Sequence, residues 1–378
     1  MENKKEKDVT GLKRVLFLTN FASPYRVHFF DELAKYMDVT VLYSDRVEDI
    51  KHRNAKWFEE GEGHFHPVQL TKVGSVGEEN LCLDVIPFLK QNYDYIIIGG
   101  YSSPTAILAM AWLRLHRIPF YMEVDGGLIR QENKLKYWVK KRLVRMANRW
   151  LSSGSHTTKY LVHYGADERK VWEYPFTSLY ASDLLPGAVS QEAKAAMRLA
   201  LNIPEKHMVL AIGQFIHRKG FDVLLRAAAS LDGDTGIYIV GGVPTQEYLK
   251  LRDELGLKQS VHFLDFQNKA RLALLYKAAD LFVLPTREDI WGLVINEAMG
   301  YGLPVITTDR CVAGLELIED GVNGYIVPVE DEAALAEKMT LALGSDLQAM
   351  GEASLAKIRA YTLENMAKVH AEILGNGR

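Results

Sequence analysis

Short apolar runs alternate with helical spacing along the first half of the chain. Arg14–Thr19 (RVLFLT) predicts a buried strand. In Pro24–Met37, the residues Val27, Phe30, Ala34 and Met37 recur on one helix face. Asp38–Tyr43 (DVTVLY) and Tyr95–Gly99 (YIIIG) predict strands, Pro104–Leu115 a helix and Pro119–Glu123 a further strand. A long helix is expected within Asn133–Arg149, and Arg149–Ser152 and Val171–Tyr174 read as the last strands of this half. Apolar strands alternating with helices predict a parallel sheet covered on both faces.

The pattern breaks between Pro175 and Pro204, a stretch with three prolines in which only Gln191–Leu201 has helical character. It then restarts. Met208–Ile212, Ile237–Val240, Val261–Leu264, Leu281–Leu284 and Pro304–Thr307 predict strands. Between them Asp222–Leu231, Thr245–Leu255, Ala270–Ala278 and Leu293–Gly300 predict helices, and more helices follow Glu330. The expected fold is α/β, with two facing Rossmann-like domains and a cleft between them. The domains are placed at 1–185 and 186–360, with a final helix at 361–378 returning to the first. Ligands of such sheets bind beyond the carboxyl ends of the strands.

Composition narrows the class. A chain of 378 residues exceeds one ordinary core. Its 48% apolar and 25% charged residues suit a globular protein. Cys82 and Cys311 are too few and too far apart for a disulfide framework or a zinc site, and read as buried thiols. The run MENKKEKDVTGLKR lacks the apolar core of a secretory signal, and no stretch approaches the ~18 apolar residues that span a bilayer. A cytoplasmic enzyme is expected. The net charge of −3 divides into a mildly basic first half and an acidic second half, too weak a field for nucleic-acid binding.

The segment Leu284–Thr307 (LPTREDIWGLVINEAMGYGLPVIT) carries the most chemistry. A strand ends at Leu284, a loop holds Arg287, Glu288, Asp289 and Ile290, and a helix begins near Trp291–Gly292. Seven residues separate Asp289 from Glu297. One carboxylate therefore precedes the helix and the other lies in its second turn. The amides of Gly292, Leu293 and Val294 at the helix start suit a diphosphate. Glu297 suits a ribose diol and Asp289 sugar hydroxyls, because each carboxylate oxygen accepts a donor. By spacing alone, the same residues could equally be an N-terminal helix charge and a solvated glutamate.

This run resembles the signature of the retaining glycosyltransferases of family 4, which have the GT-B fold: two acids seven residues apart, then A-M-x-x-G-x-P-V. Glu297-Ala298-Met299, Gly302 and Pro304-Val305 match it. The resemblance implies that Glu297 binds the donor ribose and that Asp289, where the family more often has glutamate, holds the transferred sugar. Glu288, one place off register, is a second candidate for the first acid. In Gly213–Leu224 (GQFIHRKGFDVL), Lys219-Gly220 match the family's phosphate-binding motif, Gln214 replaces its arginine, and Arg218 is the substitute cation. Cys311–Val327 resembles the loop that follows, with Glu316 near the donor. No cofactor besides the nucleotide-sugar donor is expected, and no metal is needed if Lys219, Arg218 and the helix start near Gly292 neutralise the leaving diphosphate. The D-x-D run Asp232-Gly233-Asp234 precedes a strand and reads as a turn.

The first half matches less closely. The family places a histidine after a central strand of this domain; here Asp125, before Gly126-Gly127, is the nearest equivalent and Glu123 the next. Asp125 is a catalytic candidate, or else a plain turn aspartate. Ser23, Tyr25 and Arg26, after the first strand, are acceptor-side candidates with Glu123. In Asn133–Trp150 there are seven Lys/Arg and no acid. Its stripe Leu135, Val139, Leu143, Met146 and Trp150 is expected in the core. The basic face of Lys134–Arg149 suits an anionic membrane, where a lipid-linked saccharide acceptor would lie, with Tyr137 and Trp138 at headgroup level. An ordinary solvated helix face fits as well. Two rivals remain: a nucleotide-sugar epimerase of the same fold, and a non-enzymatic two-domain binding protein.

Overall fold

The computed structural model describes residues 11–46 and 63–376. The polar N-terminal run before Gly11 lies outside the described residues. The chain divides into two compact units, one of Met1–Phe176 with Leu363–Arg378 and one of Thr177–Thr362.

The first unit is built on a seven-stranded sheet in the order His66–Gln69, Asp38–Tyr43, Arg14–Thr19, Tyr95–Gly99, Tyr121–Val124, Arg149–Ser152 and Val171–Glu173. All its pairings are parallel. The strand order reverses between Arg14–Thr19 and Tyr95–Gly99, so the loops beginning at Asn20 and Gly100 diverge at the switch point. The central strands are apolar on both faces: Leu16, Leu18, Ile96, Ile98 and Met122 pack with Met110 and Leu113 of the helix Pro104–Leu115 on one, and the alternate positions Val15, Phe17 and Ile97 are buried on the other.

The helix after the first strand, Pro24–Leu33, is shorter than its periodicity predicts, and Ala34 closes it. Its polar side is buried too: Arg26, Asp31 and Glu32 are inaccessible. The reason is the last helix, Leu363–Asn376, which packs against it. The basic helix spans Lys134–Val144 and corrects a second expectation. Leu135 is 72% and Val139 41% exposed, so the upper part of the stripe is not core. The rest of the stripe, Leu143, Met146 and Trp150, packs inward as expected, and Tyr137 and Val144 make the inward contacts at the upper part. Lys140 lies on that side as well, with its ammonium 3.1 Å from Glu132. A long aliphatic stem can be covered while its head stays paired, which apolar periodicity does not register.

The second unit carries a six-stranded parallel sheet in the order Val261–Leu264, Thr235–Val240, His207–Ile212, Leu281–Leu284, Val305–Thr308 and Gly324–Val327. Its switch point lies between His207–Ile212 and Leu281–Leu284. The segment between Pro175 and Pro204 is no open tether. Its helix Gln191–Ala200 sends Lys194 and Arg198 inward to Asp280, which is fully buried. Arg198 Nη1 donates to Asp280 Oδ2 at 2.9 Å.

Candidate active site

The two loops that leave the switch point of the second sheet are the two that hold the sequence motifs. After Ile212 the chain forms a short 3₁₀ turn, His217–Lys219, ended by Gly220. Gly220 has φ of +70°, and a Cβ there would stand 2.0 Å from the carbonyl oxygen of Pro285. Only glycine lets the two loops approach this closely. Arg287 then locks them. Its Nη1 and Nη2 each donate to Asp222 at 2.8 Å, Nη1 also reaches the carbonyl of His217, and Nε reaches Glu330.

This clamp brings Lys219 to Asp289. Lys219 Nζ donates to Asp289 Oδ2 at 2.7 Å, and Arg218 Nη1 stands 3.3 Å from the same oxygen. Arg218 also donates to the carbonyl of Glu288. The structure therefore joins Asp289, Lys219 and Arg218, with the backbone carbonyl of Glu288 beside them. Asp289 is held at both ends, its own amide bonding the carbonyl of Arg310.

The helix Leu293–Gly300 starts at Gly292, with φ of 106° and no side-chain cap. A Cβ at Gly292 would meet Cys311 Sγ at 2.9 Å. Its first-turn amides at Leu293 and Val294 thus have no capping side chain, and the dipole favours an anion there. Glu297 stands in the second turn. Tyr276 Oη donates to Glu297 Oε2 at 2.9 Å, and Tyr276 stacks on Tyr301. Burial raises the Glu297 carboxyl above its ordinary value despite that bond. Cys311 is fully buried, and burial with the nearby Asp289 charge pushes its thiol up to about 12.

The other donor-side candidates separate. Gln214 and Ile290 are exposed beside the loops, and Glu316 is half-buried on the helix Val312–Leu317. The Trp291 side chain is corrected: it is 2% exposed and its indole donates to Asn296 Oδ1. The large ring anchors the helix from inside, so only its backbone borders the loop. Asp232-Gly233-Asp234 forms a turn in which Thr235 bonds Asp232, at the amino end of a strand.

In the first unit, Asp125 follows the strand Tyr121–Val124. Arg26 Nη1 donates to Glu123 Oε1 at 2.9 Å, and Nη2 reaches Asp125 Oδ1 at 2.5 Å. Tyr174 Oη also donates to Asp125 Oδ1, at 2.8 Å. Arg26 and Glu123 are 5% and 1% exposed, which corrects their reading as acceptor ligands. Each is fully engaged by the other charges, because a buried ion must be paired. Ser23 is corrected likewise: at 2% exposure it sits under the helix it begins. Tyr25 remains half-buried, edge-on to Phe176. Asp125 keeps a quarter of its side chain exposed. Burial and the Glu123 charge raise its carboxyl against the opposing pull of Arg26, whereas Glu123 is held at about 2 because Arg26 and His370 outweigh its burial. Tyr174, Tyr276 and His370 escaped the sequence reading, since each belongs to an ordinary apolar or helical stretch.

Residues 194–357 match the family model Glycosyl transferases group 1. The chain is 31% identical over 244 residues to the D-inositol 3-phosphate glycosyltransferase of Nocardia farcinica, covering 61% of this chain and 52% of that protein. With its counterpart from Mycolicibacterium gilvum it is 30% identical over 249 residues, covering 63% and 54%. The matched region thus spans about half the length of these curated relatives. Among solved structures, the sucrose-phosphate synthase of Thermosynechococcus elongatus superposes with a TM-score of 0.73 at 19% identity, covering 96% of this chain and 98% of that one. Anabaena HepE in complex with UDP gives 0.72 at 18% identity, covering 96% and 100%. At such identities the likeness is one of fold. The segment 194–357, with the Lys219 and Glu297 motifs inside it, is similar to the glycosyl transferases group 1, and the chain has the GT-B glycosyltransferase fold.

Proposed function

We propose that this protein transfers a sugar, with retention of anomeric configuration, from a UDP- or GDP-sugar to a hydroxyl of a saccharide acceptor. The observation that carries the reading is the Lys219–Asp289 pair beside the uncapped helix start at Gly292. Lys219, Arg218 and the amides of 292–294 form a fixed positive field for a leaving diphosphate, a role that elsewhere falls to a metal ion. Glu297 takes the ribose diol, and Asp289 the hydroxyls of the transferred sugar. The leaving phosphate oxygen accepts the acceptor proton, and Asp125 orients the acceptor on the first unit. The bond that breaks joins the anomeric carbon to the diphosphate, and the bond that forms joins that carbon to the acceptor oxygen. UDP in the HepE complex supports the choice of donor class.

The acceptor is proposed to be lipid-linked, on the way to a cell-surface polysaccharide, with the enzyme at the inner face of the membrane. The support is the helix Lys134–Val144, where Leu135 and Trp138 are 72% and 62% exposed among Lys134, Lys136 and Arg142. No helix of the described residues is long and apolar enough to cross a membrane. An exposed apolar ridge with cations at its sides suits a surface contact of ~1 kcal/mol per nearby cation. Incubation with a panel of nucleotide sugars, reading the released nucleotide and the stereochemistry of the product, tests the reaction. Release from none of them, or an inverted product, refutes it. Flotation with anionic vesicles at low salt tests the membrane contact, which Trp138→Ser and Leu135→Ser are expected to weaken.

A further inference from the structure

The Glu297 carboxylate is anchored on one side only. Tyr276, on the helix Lys269–Ala278, is 2% exposed and lies 21 residues before Glu297 in sequence. Its Oη donates to Glu297 Oε2 at 2.9 Å. The phenol ring is held in turn. Tyr301 stacks on it with centroids 4.9 Å apart and planes 7° apart, and the Phe282 centroid lies 6.0 Å away. Burial and the Glu297 charge keep the phenol well above its ordinary value, so its hydroxyl stays a donor. Glu297 Oε1 makes no hydrogen bond to the described residues, and it is not sealed from solvent.

A glutamate has three side-chain torsions, and ordering them opposes binding. The Tyr276 bond orders them before any ligand arrives. One carboxylate oxygen is committed to the phenol and the other is presented. A ribose diol supplies one hydrogen for Oε1 and one for the remaining lone pair of Oε2. A 2′-deoxyribose leaves one of these acceptors without a donor, and an anchored carboxylate cannot turn away to find water. An acceptor left unmade in a partly buried place costs more than a made bond gains on balance. Anchoring therefore converts a hydrogen bond into discrimination. We propose that Tyr276 is a positioning residue whose bond to Glu297 makes the site selective for ribonucleotide over 2′-deoxyribonucleotide donors. The inference rests on the ribose-binding role of Glu297.

The test titrates UDP, GDP and their 2′-deoxy forms into the full chain, as parent, Tyr276→Phe and Glu297→Gln. The parent is expected to bind a ribonucleotide about tenfold or more tightly than its 2′-deoxy form. Tyr276→Phe keeps the stacked ring and loses only the donor. It is expected to narrow that preference to about threefold by weakening the ribonucleotide while the deoxy form stays nearly unchanged. Its kcat at saturating donor is expected within about twofold of the parent, the split that marks a binding effect. Partial unfolding lowers both apparent affinities alike, so the ratio reads the site and not the stability. The parent's full preference in Tyr276→Phe, or equal weakening of both forms, overturns the inference alone when Glu297→Gln has lost the preference. A parent without the preference, or Glu297→Gln that keeps it, removes the ribose role of Glu297 and the inference with it. Binding of none of the four nucleotides to the parent removes the proposed function as well.

Discussion

Lys219 Nζ lies 2.7 Å from Asp289 Oδ2, although 70 residues separate them in sequence. The pair joins the two loops that leave the switch point of the second sheet. It predicts that Lys219→Ala lowers turnover about 100-fold, the usual loss when one fixed donor is removed from a developing anion. Asp289→Ala should also act mainly on turnover. Glu288→Gln should leave kcat within about twofold, because it is Asp289 that receives Lys219 Nζ. Steady-state kinetics of the three variants checks this ordering; a larger loss in Glu288→Gln would move the first acid to that position.

Glu297 carries a conflict between stability and binding. Its carboxyl is raised by burial, so the charged form costs folding free energy above its unfolded value, and stability increases as pH falls through that window. Glu297→Gln removes the charge. It is expected to raise the melting temperature slightly at pH 7 and to weaken nucleotide-sugar binding about tenfold, or ~1.4 kcal/mol. Paired melts and KM measurements read both signs. A lower melting temperature with unchanged KM would contradict the assignment.

Gly220→Ala should be among the more damaging small substitutions. The added methyl meets Pro285 oxygen at 2.0 Å with the backbone at +70°. Strain and loop displacement together are expected to cost ~2 kcal/mol or more, and to lower turnover by moving Lys219. Denaturant titration with a parallel assay measures both; a stable variant of full activity would show that the loops need no such approach.

Lys194 gives the second unit a basic-side pH dependence. Burial is the main cause that brings its ammonium from 10.5 down to about 8, against the pull of Asp280. A lysine whose folded value is depressed is charged at a cost below that value. The unfolded chain then binds the proton more tightly, so stability should climb as pH rises from about 8 to 10.5. Denaturation at pH 7 and at pH 9.5 should show the rise in the parent and its loss in Lys194→Met. An identical rise in both would assign it to another group.

Much of this fold is legible in the residues. The strands Arg14–Thr19, His207–Ile212 and Leu281–Leu284 are apolar runs that end where a loop motif starts, and that juncture locates the motifs at the switch points. The strand His66–Gln69 is not legible, because Pro67 lies in it and its place at the sheet edge leaves most of it exposed. The stripe Leu135–Val139 misleads because periodicity reports that a helix is two-sided, not which neighbour covers each side. Arg26 and Glu123 read as ligands because charged residues after strands often are. Only the last helix, far downstream of both, supplies the cover that makes them internal, with His370 Nε2 3.4 Å from Glu123 Oε1. Tyr276 carries no mark either, since its hydroxyl reaches Glu297 from an adjoining helix of ordinary composition.

The central claim is that the loops around Lys219 and Asp289 hold a nucleoside diphosphate. Isothermal titration of UDP and GDP into the parent protein and into Lys219→Ala tests it most directly. The account predicts that at least one of them binds the parent without added metal and that the variant binds it at least tenfold more weakly. Binding of neither nucleotide at millimolar concentration, or binding undiminished in Lys219→Ala, would contradict it.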